Sequence, residues 1–453
     1  MSYEKKKVSL EVVNPYAAGI DIGSRSHFVA IGQDADEVRE FGVYAEDLQE
    51  LAAWLLENGI KTAAMESTGT YWQNLFSTLQ AYGIEVFLVN GKFTKNMRGK
   101  KSDVMDCQWI QKLHTMGLLS SSFLPDSTTE TIRTYTRHRL SLIQLAADTS
   151  KKMQKYLRLM GFRLDVVVND ICGLTGIAII NDICNGNLNP KLLSVHRHYN
   201  CRKSIEEIEK ALHGNGRKDY MFALIDEFEM YQILKTKIEK CDKEIESLLK
   251  EIIEKNENKK YHIAEAKPHK RITKNTNKQL DLNQVAFQYF EGIDLMKIEG
   301  VSHATVMTII SEIGLEGFSK FHTSKQFVSW LRLSPNNKIS GGKVLSNQIA
   351  RGSNRLKIAL RQAANCIGNL KETHLSDFFR RICIKRGRAS AVSATARKLG
   401  VIIWTMITKK IQYAPPKEYL MLDQKRKLGL VSRIRKSIAK FDLKPDDLGF
   451  ATV

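Results

Sequence analysis

The chain has 453 residues, 43% of them hydrophobic, which is enough for two or three domains with their own cores and excludes a disordered polyelectrolyte. Lysine and arginine outnumber aspartate and glutamate by 69 to 49, giving a net charge of +20, so the expected partner is a polyanion: nucleic acid first, an anionic membrane surface second. The N-terminal lysines precede no apolar core or small-residue cleavage site, no apolar run approaches the ~20 residues that cross a bilayer, and the seven cysteines include no CxxC pair. The expectation is an intracellular protein with reduced thiols, no membrane span and no structural zinc site.

In chain order, AAGIDIG, HFVAIG and VREFGVY are three short apolar stretches with turn-length gaps, the pattern of a small antiparallel meander. AEDLQELAAWLLENG is helix-periodic and ends in glycine. TAAMES and EVFLVN read as buried strands on either side of the helix TYWQNLFSTLQAYG, and another amphipathic helix starts at Ser102 and stops at Gly117. Alternating strands and helices imply parallel strands with crossover helices, so residues 14–165 are expected to form an α/β domain.

Residues 128–165 continue as a basic helix carrying Arg133, Arg137, Arg139, Lys151, Lys152, Lys155 and Arg158. Such a face is either simply solvated or tracks a phosphate backbone. From 222 to 255, Tyr231, Leu234, Ile238, Cys241, Ile245, Leu248 and Ile252 recur at alternating steps of three and four, a coiled-coil seam that pairs either with a helix of its own chain or with a second copy. Residues 256–280 lose apolar periodicity and read as a basic linker closing a middle segment, 166–280. A mainly helical domain is expected over 281–415 and a basic, polar tail without a core over 416–453.

Asp21 ends the first strand and Glu66 a later one, where α/β sheets place ligands. Asp103 and Asp106 share one face of the first turn of the next helix. That pair either complements the helix dipole or joins the strand-end carboxylates. Four converging carboxylates are costly without cations, so the economical reading is one or two Mg²⁺ ions, which suit in-line phosphoryl displacement. GIDIGS also has the look of the phosphate hairpin of sugar-kinase-type ATPases, with DICGLTG as a second loop, but that reading leaves the positive charge and the KSDVMD helix unexplained.

In the C-terminal half, IEGVSHATVMTIISEIG resembles a helix-hairpin-helix whose turn and following helix hold a DNA phosphate; an ordinary helical hairpin reads equally well. PNNKISGGK sets Ser340 before two glycines, followed by Arg351, Arg355, Lys357 and Arg361. An exposed serine beside an arginine-rich helix suits attack on a phosphodiester, while a plain turn serine is the simpler reading from chemistry alone.

Taken in order, GIDIGSRSH, AMESTGTYW, KSDVMD, NDICGLTG, IEGVSHATVMTIISEIG and LRLSPNNKISGGKVLSNQIARGSNRLK resemble the DEDD transposases of bacterial insertion sequences, the family called one-ten, over about residues 15–413. The resemblance implies a RuvC-like first domain of the ribonuclease H fold, a coiled-coil middle and a helical, serine-bearing transposase domain. It implies that Asp21, Glu66, Asp103 and Asp106 bind Mg²⁺ and that Ser340 forms a covalent phosphoserine link to DNA. It further implies donor and target double-stranded DNA as substrates, a noncoding bridge RNA as guide, and a homodimer or homotetramer with shared active sites in a bacterial, nucleoid-associated setting. Lys100, Lys101, Arg133, Arg137, Arg139, Lys151, Arg351, Arg355 and Lys357 are the expected nucleic-acid contacts. Two departures from the family pattern stand out: Ser302 takes the place of the usual hairpin glycine, and Cys107 follows the second aspartate where alanine is common. The competing functions are a junction-resolving nuclease without a covalent step and a noncatalytic nucleic-acid-binding regulator.

Overall fold

The computed structural model describes residues 11–91, 102–255, 281–350, 352, 354–415 and 420–442. Two compact units divide at Leu124/Pro125. The first holds β1 (Ala17–Ile22), β2 (His27–Ala30), β3 (Val38–Phe41), α1 (Ala45–Glu57), β4 (Thr62–Glu66), α2 (Trp72–Ala81), β5 (Glu85–Val89) and α3 (Asp103–Thr115). The expected meander and crossovers form one five-stranded sheet in the order β3-β2-β1-β4-β5, with β1, β2 and β3 antiparallel and β4 and β5 parallel to β1.

Period-two alternation gives this sheet two different faces. Ala18, Ile20 and Ile22 of β1 and Ala63 and Met65 of β4 form one core with Leu48, Leu51 and Leu55 of α1 and Leu75 and Leu79 of α2. Each of these buried leucines contributes roughly 1.5–3 kcal/mol. The opposite residues, Ala17, Gly19 and Asp21 on β1 and Thr62, Ala64 and Glu66 on β4, face α3, where Ala64 and Val89 pack with Ile110 and Leu119.

The second unit opens with α4 (Ser127–Leu159), followed by α5 (Leu164–Val167), α6 (Leu174–Cys184), α7 (Pro190–Ser194), α8 (Ile205–Ala211) and the 38-residue α9 (Lys218–Lys255). Then come α10 (Leu282–Tyr289), α11 (His303–Glu312), α12 (Ser324–Trp330), the hairpin β6 (Lys338–Ser340) and β7 (Lys343–Ser346), α13 (Arg355–Ile367), α14 (His374–Arg386), α15 (Arg388–Lys409) and α16 (Leu420–Phe441). Among the described residues no helix is long and apolar enough to cross a membrane.

The long basic helix α4, expected within the first domain, lies in the second unit because its apolar stripe is buried there. Leu142 and Ala146 pack on Leu234, Ile238 and Cys241 of α9. The pairs Arg139–Asp242 and Lys152–Glu227 fix the two helices as antiparallel. The heptad seam of α9 is therefore occupied by its own chain over this stretch. The predicted basic linker over 256–280 lies outside the described residues. The tail, expected to lack a core, carries α16, on which Leu428, Ile434 and Phe441 are exposed.

Candidate functional site

The site in the first unit follows from sheet register. β1 and β4 are parallel with Ala17 opposite Thr62, Gly19 opposite Ala64 and Ile20 opposite Met65, so the next step sets Asp21 beside Glu66 on the α3 face. Helix α3 crosses that face with its C-terminal end over the strand starts. The Thr62 hydroxyl and His114 Nε2 are 2.9 Å apart, and Gln111 Nε2 donates to the Ala17 carbonyl at 3.3 Å. From His114 back to Asp106 the helix rises about 12 Å, while Thr62 to Glu66 spans about 13 Å of strand. Anchoring His114 at Thr62 thus carries the first turn of α3 to the strand ends that hold Asp21 and Glu66.

Gly19 permits that approach. A Cβ built on it would lie 2.1 Å from the Gln111 nitrogen and 2.3 Å from the Cys107 carbonyl oxygen. Cys107, fully buried, is small enough for this seam, and burial together with nearby Asp21 pushes its thiol up to about 12. Gly91, just after β5, lies against Glu66: a Cβ there would meet Glu66 Oε1 at 1.9 Å, a contact that rotation of the carboxylate side chain relieves. Ser102 caps α3, its hydroxyl accepting from the Met105 amide at 3.3 Å, so the capping role and the carboxylate cluster coexist.

Electrostatics report the convergence. Asp21 is raised from the ordinary aspartate value to about 6, first by burial and then by the negative charges of Asp106, Asp103 and Glu66. The three other predicted carboxylates therefore all lie within electrostatic reach of Asp21. As the side chains stand, no three acidic, histidine or cysteine groups among the described residues are gathered tightly enough to hold an ion. The donor set nevertheless fits a hard divalent cation: every candidate ligand atom is a carboxylate oxygen, and the charge that Asp21 lacks is positive.

In the second unit Ser340 stands at the tip of an exposed β-hairpin rather than in a loop. It pairs with Lys343 across Gly341 and Gly342, whose φ values of 55° and 74° are those of a two-residue hairpin turn. The Pro335–Ile349 bridge and the Asn336 N–H donating to Gln348 O at 2.9 Å extend the ladder behind it. The expected helix-hairpin-helix has one full helix, α11, preceded by a single 3-10 turn at Leu295–Lys297. Gly300, at φ 75°, presses on Ala363 and Ile367 of α13, and Ser302 caps α11 by accepting from the Thr305 amide. The Ser302 hydroxyl thus has a structural use where the family pattern has glycine.

Several predicted phosphate contacts are engaged inside the protein. Arg133 is buried, donating to the carbonyls of Ser311 and Glu312 and to Glu130. Arg137 makes a two-pronged contact with the buried Glu312 carboxylate at 3.0 and 2.7 Å. Arg139 is bound to Asp242, and Lys357, also buried, donates to Gly352 O at 3.0 Å and pins the loop after the hairpin. Lys151, exposed, meets Asp148 at 2.8 Å, and Arg355, half-exposed, lies 3.9 Å from Glu312. Lys100, Lys101 and Arg351 lie outside the described residues. The residues that sequence reasoning missed are Gly19, Gly91, Thr62, Gln111 and His114; the small side chains of AAGID at alternate positions were the available signal.

No curated protein matches the chain. Two family models do. A DEDD model of the IS110 type, described as Transposase, matches residues 18–161, and one described as Transposase IS116/IS110/IS902 family matches residues 294–380. Transposases of the DEDD type typically use divalent metal ions, in keeping with the all-carboxylate donor set. With one model running from β1 through α4 and the other from the 3-10 turn through the serine hairpin into α14, the chain belongs to the IS110 family of transposases, enzymes that cleave and join DNA.

Proposed function

We propose that this transposase is a RuvC-like, Mg²⁺-dependent recombinase of an insertion sequence. Asp21, Glu66, Asp103 and Asp106 hold one or two Mg²⁺ ions, and Ser340 is the nucleophile that links covalently to DNA. The observation that carries the metal assignment is the strand register that sets Asp21 beside Glu66 on the α3 face, where burial and then the charges of Asp106, Asp103 and Glu66 raise Asp21. Bound Mg²⁺ supplies neutralisation of the scissile phosphate. The protein's own residues do the rest: strand ends and helix turn orient the four carboxylates, and the hairpin presents the Ser340 hydroxyl on backbone with little steric cover.

Ribonuclease H topology is supported by the β3-β2-β1-β4-β5 order with its antiparallel meander and parallel crossovers. Selection of donor and target DNA by a noncoding bridge RNA rests on the family resemblance and on the +20 net charge. A homodimer or homotetramer with shared active sites rests on the same resemblance. Since α4 covers Leu234, Ile238 and Cys241, pairing through α9 falls to the far end of its seam, around Leu248 and Ile252.

The test is Ser340→Ala and Asp21→Asn in a plasmid recombination assay using the gene with its flanking DNA and transcript. Both variants are expected to lose joining, and Ser340→Ala to lose the protein–DNA adduct trapped by denaturation. Full strand cleavage by Ser340→Ala would replace this reading with a nuclease that uses water as nucleophile. Recombination by protein free of RNA would remove the guide.

A further inference from the structure

We propose that Lys343 is a second reactive-arm residue, whose ammonium group holds the scissile phosphate against Ser340; this rests on the reading of Ser340 as nucleophile. Ser340 and Lys343 are directly opposed in the hairpin ladder and are the two residues flanking the Gly341–Gly342 turn. In such a turn the flanking residues form a hydrogen-bonded pair with Cα atoms about 5.5 Å apart and side chains on the same face. A lysine side chain extends about as far as that separation, so its charge reaches a phosphate whose phosphorus is in contact with the Ser340 hydroxyl.

Both residues are exposed, and the neighbouring pair Ile339 and Val344 alternates to the other face. The arm therefore has a polar face carrying the Ser340 hydroxyl, the Lys343 cation directly opposite it and Lys338 one pleat further along β6, and an apolar face carrying Ile339 and Val344. Lys357, further along the chain, is tied to Gly352 O and Ala350 O. Lys343 is also fixed to the nucleophile by the shortest hairpin connection there is, so it travels with Ser340 wherever the arm docks.

In the step assigned to this pair, Ser340 Oγ bonds to phosphorus, the bond from phosphorus to one deoxyribose oxygen breaks, and the hydroxyl proton ends on that departing oxygen. Lys343 keeps its protons throughout and stabilises the charge that builds on the non-bridging oxygens. Groups placed in this way typically contribute 10²–10³-fold in rate.

The experiment compares Lys343→Ala, Lys343→Arg, Lys338→Ala and Ser340→Ala on a plasmid carrying the gene with its flanking DNA and transcript. It reads DNA affinity at fixed salt and the rate of covalent adduct formation at saturating protein. Lys343→Ala is expected to slow adduct formation by about 10²-fold or more with nearly unchanged affinity, and Lys343→Arg to restore most of the rate. Lys338→Ala, removing an equal charge from the same arm, is expected to leave the adduct rate nearly unchanged. Equal losses in Lys338→Ala and Lys343→Ala, or adduct formation by Lys343→Ala at the parental rate, overturn the assignment while leaving the serine reading intact. Retained cleavage by Ser340→Ala overturns both.

Discussion

Gly19→Ala is the sharpest test of how this fold builds its carboxylate cluster. Its backbone is ordinary strand, so alanine carries no conformational penalty there, and the whole effect is steric. The added methyl would sit 2.1 Å from Gln111 N, 2.3 Å from Cys107 O and 2.6 Å from Gln111 Cα, all backbone atoms that no rotamer change can move. Restoring a contact of about 3.5 Å requires α3 to retreat from β1 by about 1.4 Å. Overpacking of this kind costs about 1–3 kcal/mol or more, and thermal unfolding should fall by roughly 5 °C or more for a unit of this size. The retreat also stretches the His114–Thr62 and Gln111–Ala17 hydrogen bonds and carries Asp103 and Asp106 away from Asp21. A displacement of about 1 Å costs roughly 10²-fold in activity, so metal-dependent strand cleavage, assayed well below the melting temperature, should fall by that order. Gly429→Ala, with nothing within 4 Å of its added methyl, is the control. Parental stability and cleavage in Gly19→Ala would refute the close approach of α3 to β1 as the device that assembles the cluster.

Further outcomes follow from the same geometry. Because the folded Asp21 is raised to about 6, its ionisation opposes folding, so metal-free protein should lose stability as pH rises from about 4 through about 6. Asp21→Asn should accordingly melt higher than the parent at pH 7 in chelator and gain less from added Mg²⁺; a lower melting temperature in chelator would contradict the electrostatic crowding. Glu312→Ala removes the carboxylate that Arg137 grips with two hydrogen bonds, while Arg133 keeps Glu130, and should destabilise by about 1.5–3 kcal/mol, read as a drop in denaturation midpoint. Cys107, buried and with its thiol pushed up to about 12, should resist alkylation in native protein, whereas exposed Cys366 should react; labelling followed by mass spectrometry distinguishes them.

Local pattern was sufficient for the strands and helices of the first unit because one sheet face is apolar at every second residue and the helices carry a stripe at every third or fourth. Ser102 announced the start of α3, and glycine pairs announced the turn beside Ser340. The order of motifs was sufficient for the family. Register and partner choice were not legible, because they depend on contacts between residues far apart in the chain. The heptad spacing of α9 specifies an apolar stripe but not what covers it, and the fold covers it with α4. The arginines of α4 read as phosphate contacts until Glu312, some 175 residues downstream, was brought against Arg137. What the sequence determined by itself was the strands and helices of the first unit and, through the order of its motifs, the family. Tertiary structure alone decided that Gly19 lets α3 lie on β1 and that Asp21 lies within electrostatic reach of three other carboxylates, since steric approach and electrostatic repulsion exist only between groups that folding has brought together.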